Sequence, residues 1–449
     1  MVFLLVPTIS LAVIIIGKLI LGKWFNHITL YCVIWSGLIL FYEMKLISYP
    51  DITPMAWFLI ISTFLAFLLG TLTIVSAKNV FSDTTIFSRD SELNLALFQD
   101  NGQAVKYFTI FFSVISLLGA LQHWMVLINK FGSIPAVFLN ASVIYKSNVH
   151  QGGEKGMIPF VSNFGYVAIF LSAIFTAYKG RFSFITFLPF ISIIVKELAT
   201  IGRFGMLLAL MEFVFAFFLF RHLLTKDRLN RFKFSKRNAI MAASLLIIIL
   251  IVSASFVRIT RGASESFSGA TRELRQMEDN ILISPSLYLY VSSDLGVLTK
   301  FLDSRGEDTK FGQNTFLTLY HVLDKFDVVK RESDYQKGYY IPMWANTGTY
   351  IRELYADFGI TGTLLVPYLL GLLITWLWFE FYRRNNFIIL TFLVYLLLII
   401  GFSFLVMVTR SSYWSISQFL IILFIPVVER FAKYINFKSS YAYKSPRTA

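Results

Sequence analysis

Of the 449 residues 56% are apolar and only 15% charged, a balance that excludes a water-soluble globular domain of this size and places the chain among multi-span membrane proteins. The net charge of +14 would suit a nucleic-acid binder, but the basic residues gather beside apolar runs, which assigns them to membrane orientation and leaves no nucleic acid as partner. The single cysteine, Cys32, lies within an apolar run, excluding disulfides within the chain and a cysteine-ligated metal.

In chain order, apolar runs long enough to span a bilayer, or nearly so, occupy residues 2–21, 25–42, 54–76, 105–129, 157–178, 182–195, 204–220, 238–257, 359–379, 387–407 and 414–428. They predict an all-α polytopic membrane protein of about 11 transmembrane helices. The first run spans without a basic start, so a retained helix and not a cleavable signal peptide is expected. The sixth is short, and is expected to be tilted, broken or re-entrant. The organisation predicted is helices one to eight over 1–257, a large extracytoplasmic loop with short amphipathic helices over 258–358, helices nine to eleven over 359–428, and a basic tail over 429–449.

The segment from Arg221 to Arg237 carries seven Lys or Arg against one Asp, and the positive-inside tendency puts it in the cytoplasm. Each span reverses the side, so this assignment sets the others. Lys18 with Lys23, the Lys179 to Arg181 turn, the Arg383–Arg384 turn and the tail with Arg430, Lys433, Lys438, Lys444 and Arg447 all fall inside. Inner segments then hold 21 of the 40 basic residues and short outer segments seven; the other 12 lie in the long loop, which is outside the rule. The N-terminus is expected out and the C-terminus in.

The long loop holds 14 of the 26 carboxylates, which nearly offset its basic residues and mark a solvated surface. Between Asn314 and Phe326, the side chains of Phe316, Leu319, Tyr320, Leu323 and Phe326 fall near one helical face, the pattern of a helix lying on the membrane or on the spans. The loop ends in NTGTYIRELYADFGITG, Asn346 to Gly362. Asn346 or Thr347 is placed to cap a short helix, and Gly359 and Gly362 mark a bend into the ninth span.

Several chemistries fall away. There is no GxxxxGK phosphate loop and no GxGxxG after a strand. His27, His123, His150, His222 and His321 are scattered with no HExxH, so no metal and no other cofactor is expected. What remains is a set of arginines at the outer membrane edge: Arg203 before the seventh span, Arg258 and Arg261 after the eighth, Arg352 before the ninth, and Arg410 between the tenth and eleventh. A guanidinium offers a rigid fork of donors matched to phosphate oxygens, so several at one depth would hold a lipid pyrophosphate. Singly, each serves as well as an interfacial anchor or an ion-pair partner, as Arg352 would beside Glu353. Arg203, Arg258 and Arg410 rank first, Arg203 because Gly202 lets the backbone bend just before it and Arg410 because its turn is so short. Tyr335, Tyr339, Tyr340, Trp344, Tyr350 and Tyr355 suit stacking on the CH faces of sugars, or an ordinary aromatic belt. For acid or base work the loop offers His321, Asp324, Asp327, Glu353 and Asp357; His321 and Asp324, three apart, would be neighbours on a helix.

The run NTGTYIRELYADFGITGTLLVPYLLGLL resembles the segment that enters the membrane after the large periplasmic loop in oligosaccharide repeat-unit polymerases of the O-antigen, or Wzy, type. WSGLILFYEMKLISYPDITPMAWFLIISTFLAFLLG is similar to the N-terminal region of that family, and the span number, basic inner loop and late outer loop extend the likeness over nearly the full length. The resemblance implies a GT-C-like membrane glycosyltransferase of the bacterial inner membrane that acts on undecaprenyl-pyrophosphate-linked oligosaccharide in the biosynthesis of lipopolysaccharide or a similar surface polysaccharide. It implies a flippase and a chain-length-regulating co-polymerase as partners, beside membrane lipid. Arg203 matches the family's arginine between the middle spans, and Tyr355, Asp357 and Gly359 match its Tyr-x-Asp-x-Gly pattern. The implied reaction moves a growing glycan from its lipid pyrophosphate to the non-reducing end of an incoming unit. An O-antigen ligase shares architecture and donor. A lipid-linked oligosaccharide flippase or other transporter is the reading from another class, and the absence of an internal repeat and the scarcity of intramembrane carboxylates, Glu212 being the clearest, weigh against it.

Overall fold

The structure is a computed structural model that describes residues 2–78, 96–150, 160–224, 285–304, 311–329, 336–341 and 344–444, with a few isolated positions between 240 and 252. Arg258, Arg261, Tyr335, nearly all of the run 238–257 and the basic block beyond Leu224 lie outside the described residues.

Helices dominate. They are α1 (Val2–Leu21), α2 (His27–Glu43), α3 (Pro54–Ala77), α4 (Gln103–Phe131), α5 (Ile134–Leu139), α6 (Ala141–His150), α7 (Phe164–Lys179), α8 (Phe184–Thr200) and α9 (Phe204–Leu223), followed by α10 (Pro285–Ser292), α11 (Asp294–Asp303), α12 (Leu317–Asp324), α13 (Tyr350–Arg384), α14 (Phe387–Phe402) and α15 (Ser412–Lys444). The sheet among the described residues is one antiparallel hairpin, β1 (Tyr339–Tyr340) with β2 (Trp344–Ala345), pairing Tyr339 with Ala345 and Tyr340 with Trp344. Among the described residues six helices are long and apolar enough to cross a membrane: Pro54–Ala77, Gln103–Phe131, Val161–Lys179, Phe204–Leu223, Tyr350–Arg384 and Ser412–Lys438. The protein is therefore an all-α, membrane-embedded chain.

Several boundaries differ from the apolar runs. The sixth run, expected to be tilted, broken or re-entrant, lies in one unbroken helix of 17 residues that continues to Thr200. Its Pro189 falls in the second turn, where few backbone bonds are lost. The tenth run stops being helical at Phe402, because Ser403 is drawn into tertiary contacts: its hydroxyl donates to the Ile400 carbonyl at 2.7 Å and accepts the Trp35 indole N–H at 2.9 Å. The predicted amphipathic helix over 314–326 is helical only from Leu317 to Asp324.

The chain divides into two compact units, each drawn from separate segments. Unit one comprises Met1–Ser88, Ser266–Glu380 and Leu396–Trp414; unit two comprises Arg89–Glu265, Phe381–Tyr395 and Ser415–Ala449. In unit one, α3 and α13 touch backbone to backbone: a β-carbon at Gly70 would overlap the Tyr368 carbonyl, and one at Gly371 the Phe67 carbonyl. Small residues at such a crossing are how apolar helices pack closely without a hydrophobic drive between them. Beside the crossing His27 Nε2 lies 3.0 Å from Thr375 Oγ1. In unit two, α7 is almost wholly enclosed, packed against α4, α8 and α9. The intramembrane carboxylate Glu212 is also in unit two, its Oε1 3.1 Å from the Tyr395 hydroxyl, which is 2.7 Å from Ser417 Oγ.

Gly359 interrupts α13 with φ 65° and ψ −155°, a conformation open essentially to glycine alone. Before it lie Arg352, Glu353 and Asp357; after it comes the apolar stretch that qualifies as a span. Gly359→Ala is expected to cost about 1–3 kcal/mol, read as a lower unfolding temperature in detergent. Gly37→Ala, at a helical glycine with open space around it, is expected to leave that temperature unchanged or slightly raised.

Candidate functional site

The head of α13 and the turn between α14 and α15 form a dense polar cluster in unit one. Glu353 is fully buried, and its Oε1 accepts from Gln336 Nε2 at 2.6 Å and from Arg410 Nη1 at 3.1 Å. Its Oε2 accepts the Met407 backbone N–H. Arg410, its side chain 8% exposed, also donates to Asn314 Oδ1. One turn along α13, Asp357 Oδ1 accepts from the backbone N–H and the Nδ2 of Asn314 at 2.9 and 2.8 Å, and Oδ2 from the N–H and hydroxyl of Thr315 at 2.6 and 2.7 Å. Thr409 closes the circuit by donating to the Thr315 carbonyl at 2.6 Å, and α12 packs against the 408–410 turn. Burial pushes the Glu353 carboxyl up to about 7, although Arg410, the Met407 N–H and Arg352 pull it down.

Other predicted residues take different places. The cap expected from Asn346 or Thr347 is corrected: α13 starts at Tyr350, whose N–H is instead accepted by the Ser403 carbonyl at 2.9 Å. Arg352, expected to bind phosphate, is 2% exposed and turns inward. Its guanidinium donates to the carbonyls of Asn346 at 3.1 Å and Lys337 at 2.8 Å and lies over the rings of Phe301 and Tyr339 at 5.3 and 5.2 Å. It pins the hairpin to α13, and presents nothing to an outside anion. Of the aromatic series, Tyr339 and Tyr350 are buried and Tyr355 half-buried; Tyr340 and Trp344 are exposed, edge to face at 6.2 Å. His321 and Asp324 share α12 and are half-exposed, and Asp327 is exposed just past its end at a left-handed φ of 55°. Asp294, at the start of α11, escapes sequence reasoning: it is wholly buried, and burial holds its carboxyl well above the ordinary carboxylate range. An isolated Asp in a polar loop carries no signal of such burial.

Arg203 belongs to unit two, half-exposed at the position just before α9. The turn that presents it is tightly specified. Ile201, φ 53° and ψ 35°, ends α8 in the left-handed region, unusual for a β-branched residue, and the Gly202 N–H returns to the Glu197 carbonyl at 2.8 Å. The Gly205 N–H, in the first turn of α9, donates to Glu197 Oε2 at 3.1 Å. Glu197 and Lys196 are both buried, with Lys196 Nζ 3.1 Å from Glu197 Oε1 and 3.5 Å from the Tyr166 hydroxyl. Among the described residues no group of three or more His, Cys, Asp or Glu is arranged to hold a metal ion.

The folded state binds a proton at Glu353 that the unfolded chain releases near pH 4.5, so this group's stabilisation is full below that value and is lost as pH rises to about 7. Glu353→Gln should flatten the corresponding part of the pH–stability curve, by about 3 kcal/mol at most. Unfolding temperatures of both proteins between pH 4.5 and 7.5 check this, and parallel curves would refute it. Similarity adds no family to this geometry: no family model matches the chain, and no curated protein or solved structure matches it.

Proposed function

We propose that the protein is a membrane glycosyltransferase, GT-C-like with eleven spans and its N-terminus outside the bacterial inner membrane, that polymerises undecaprenyl-pyrophosphate-linked repeat units into a surface polysaccharide. The observation that carries this reading is Arg410. It is an arginine built into a turn between two apolar helices, braced by Glu353 and Asn314 and overlain by a helix bearing His321 and Asp324. A charge placed so deliberately at the end of apolar helices suits an anionic lipid headgroup.

The donor brings its own leaving group. The acceptor hydroxyl forms the new C–O bond at the anomeric carbon while the bond from that carbon to the pyrophosphate oxygen breaks, its electron pair leaving on the lipid pyrophosphate. Arginine meets the charge that develops there. Two lipid-linked substrates bring two pyrophosphates, and Arg410 and Arg203, each held within its own unit, are the arginines assigned to them, with Arg258 and Arg261 as further candidates. His321, oriented by Asp324, accepts the hydroxyl proton. Glu353 positions Arg410, and Tyr340 with Trp344 offers exposed rings for a sugar. A ligase would use the same donor chemistry, so the acceptor separates the two.

In liposomes supplied with lipid-linked repeat units, the purified protein should build a ladder of lengthening glycans. Arg410→Ala should lower kcat/KM by about 100-fold or more, the scale of losing a charge-stabilising group, and Arg203→Ala should raise KM. Trp344→Ala should raise KM for the glycan by about 3- to 10-fold, as the loss of one ring contact does. A single transfer to lipid A core with no ladder would instead establish the ligase, and no product with either acceptor would end both readings.

A further inference from the structure

Arg203 occupies the residue position just before α9, where Ser, Thr, Asp or Asn normally supplies an oxygen to the first free backbone N–H groups. A guanidinium has no acceptor, so Arg203 leaves that duty undone. The oxygen comes from Glu197 on the preceding helix, whose Oε2 takes the Gly205 N–H at 3.1 Å. The same residue's backbone carbonyl takes the Gly202 N–H at 2.8 Å and so closes the end of α8. One residue thus finishes both helices on either side of Arg203. The two flanking glycines fit this: a β-carbon at Gly202 would lie 2.5 Å from Glu197 Oε2, and one at Gly205 would overlap Oε1. Just before them, the left-handed Ile201 shows that the turn is held in a conformation its own sequence disfavours.

We propose that Glu197 is the positioning residue for Arg203, fixing through the Gly202–Gly205 turn the direction in which the guanidinium meets a lipid pyrophosphate. This rests on the reading of Arg203 given above. Lys196 is the counter-ion that allows a carboxylate in a buried site: adjacent on the helix, it neutralises Glu197 while Tyr166 receives its ammonium on hydroxyl and ring.

The test uses the full chain in liposomes with lipid-linked repeat units, reading KM and kcat separately. Glu197→Asp, too short to reach the Gly205 N–H, should raise KM by about tenfold, as a lost cap does, with kcat little changed. The double variant Lys196→Met, Glu197→Gln removes both charges but keeps an acceptor oxygen, and should restore KM to near the wild-type value. Gly205→Ala, whose β-carbon would overlap Glu197 Oε1 and lie 2.5 Å from the Tyr166 hydroxyl, should raise KM as Glu197→Asp does. An unchanged KM in Glu197→Asp beside a raised KM in Arg203→Ala would overturn the positioning role alone. An unchanged KM and kcat in Arg203→Ala would overturn the assignment of Arg203, and the positioning role with it.

Discussion

Unit one depends on a carboxylate that has no water around it. A buried carboxyl such as Glu353 would be costly on its own, and it is tolerated because a guanidinium, an amide and a backbone N–H converge on it. Those donors come from residue 336 and from the turn 407–410, far from each other along the chain, so satisfying one carboxyl also fixes where both segments meet α13. Asp357, one helical turn away on the same face, repeats the device with four donors from Asn314 and Thr315.

The same helix must then enter an apolar medium. Gly359 separates the two environments, letting the charged head of α13 stay in the polar cluster while its remainder runs on as a span. At the helix start, the Tyr350 N–H is satisfied by the Ser403 carbonyl, and Ser403 in turn receives the indole of Trp35. Backbone groups near lipid cannot turn to water, and at this helix start the closing acceptor comes from another segment and not from a local cap.

Unit two applies the logic to a different arginine. Glu197 closes two helix ends about Arg203 just as Glu353 braces Arg410, and in both cases the carboxylate comes from a neighbouring helix or a distant turn. Arg352 shows the contrasting outcome: with two carbonyls and two aromatic rings around it, it has become part of the scaffold. Three arginines that the sequence offers as phosphate ligands, Arg352 below Arg203 and Arg410, thus differ in what surrounds them.

The sequence by itself determined the membrane class, because apolar runs of spanning length are a local property that no tertiary contact needs to supply. It also narrowed the break to Gly359 and Gly362, of which the structure uses Gly359, and set the neighbour relation of His321 and Asp324 through helical periodicity. It could not separate Tyr340 and Trp344, which face outward, from Tyr339 and Tyr350, which do not; burial there is decided by Arg352, Phe301 and Tyr31, brought in from elsewhere. Nor could it show that Glu353 and Arg410, or Asp357 and Asn314, are partners. A charge leaving water must find its counter-charge wherever the fold supplies one, and that choice belonged to the tertiary structure alone.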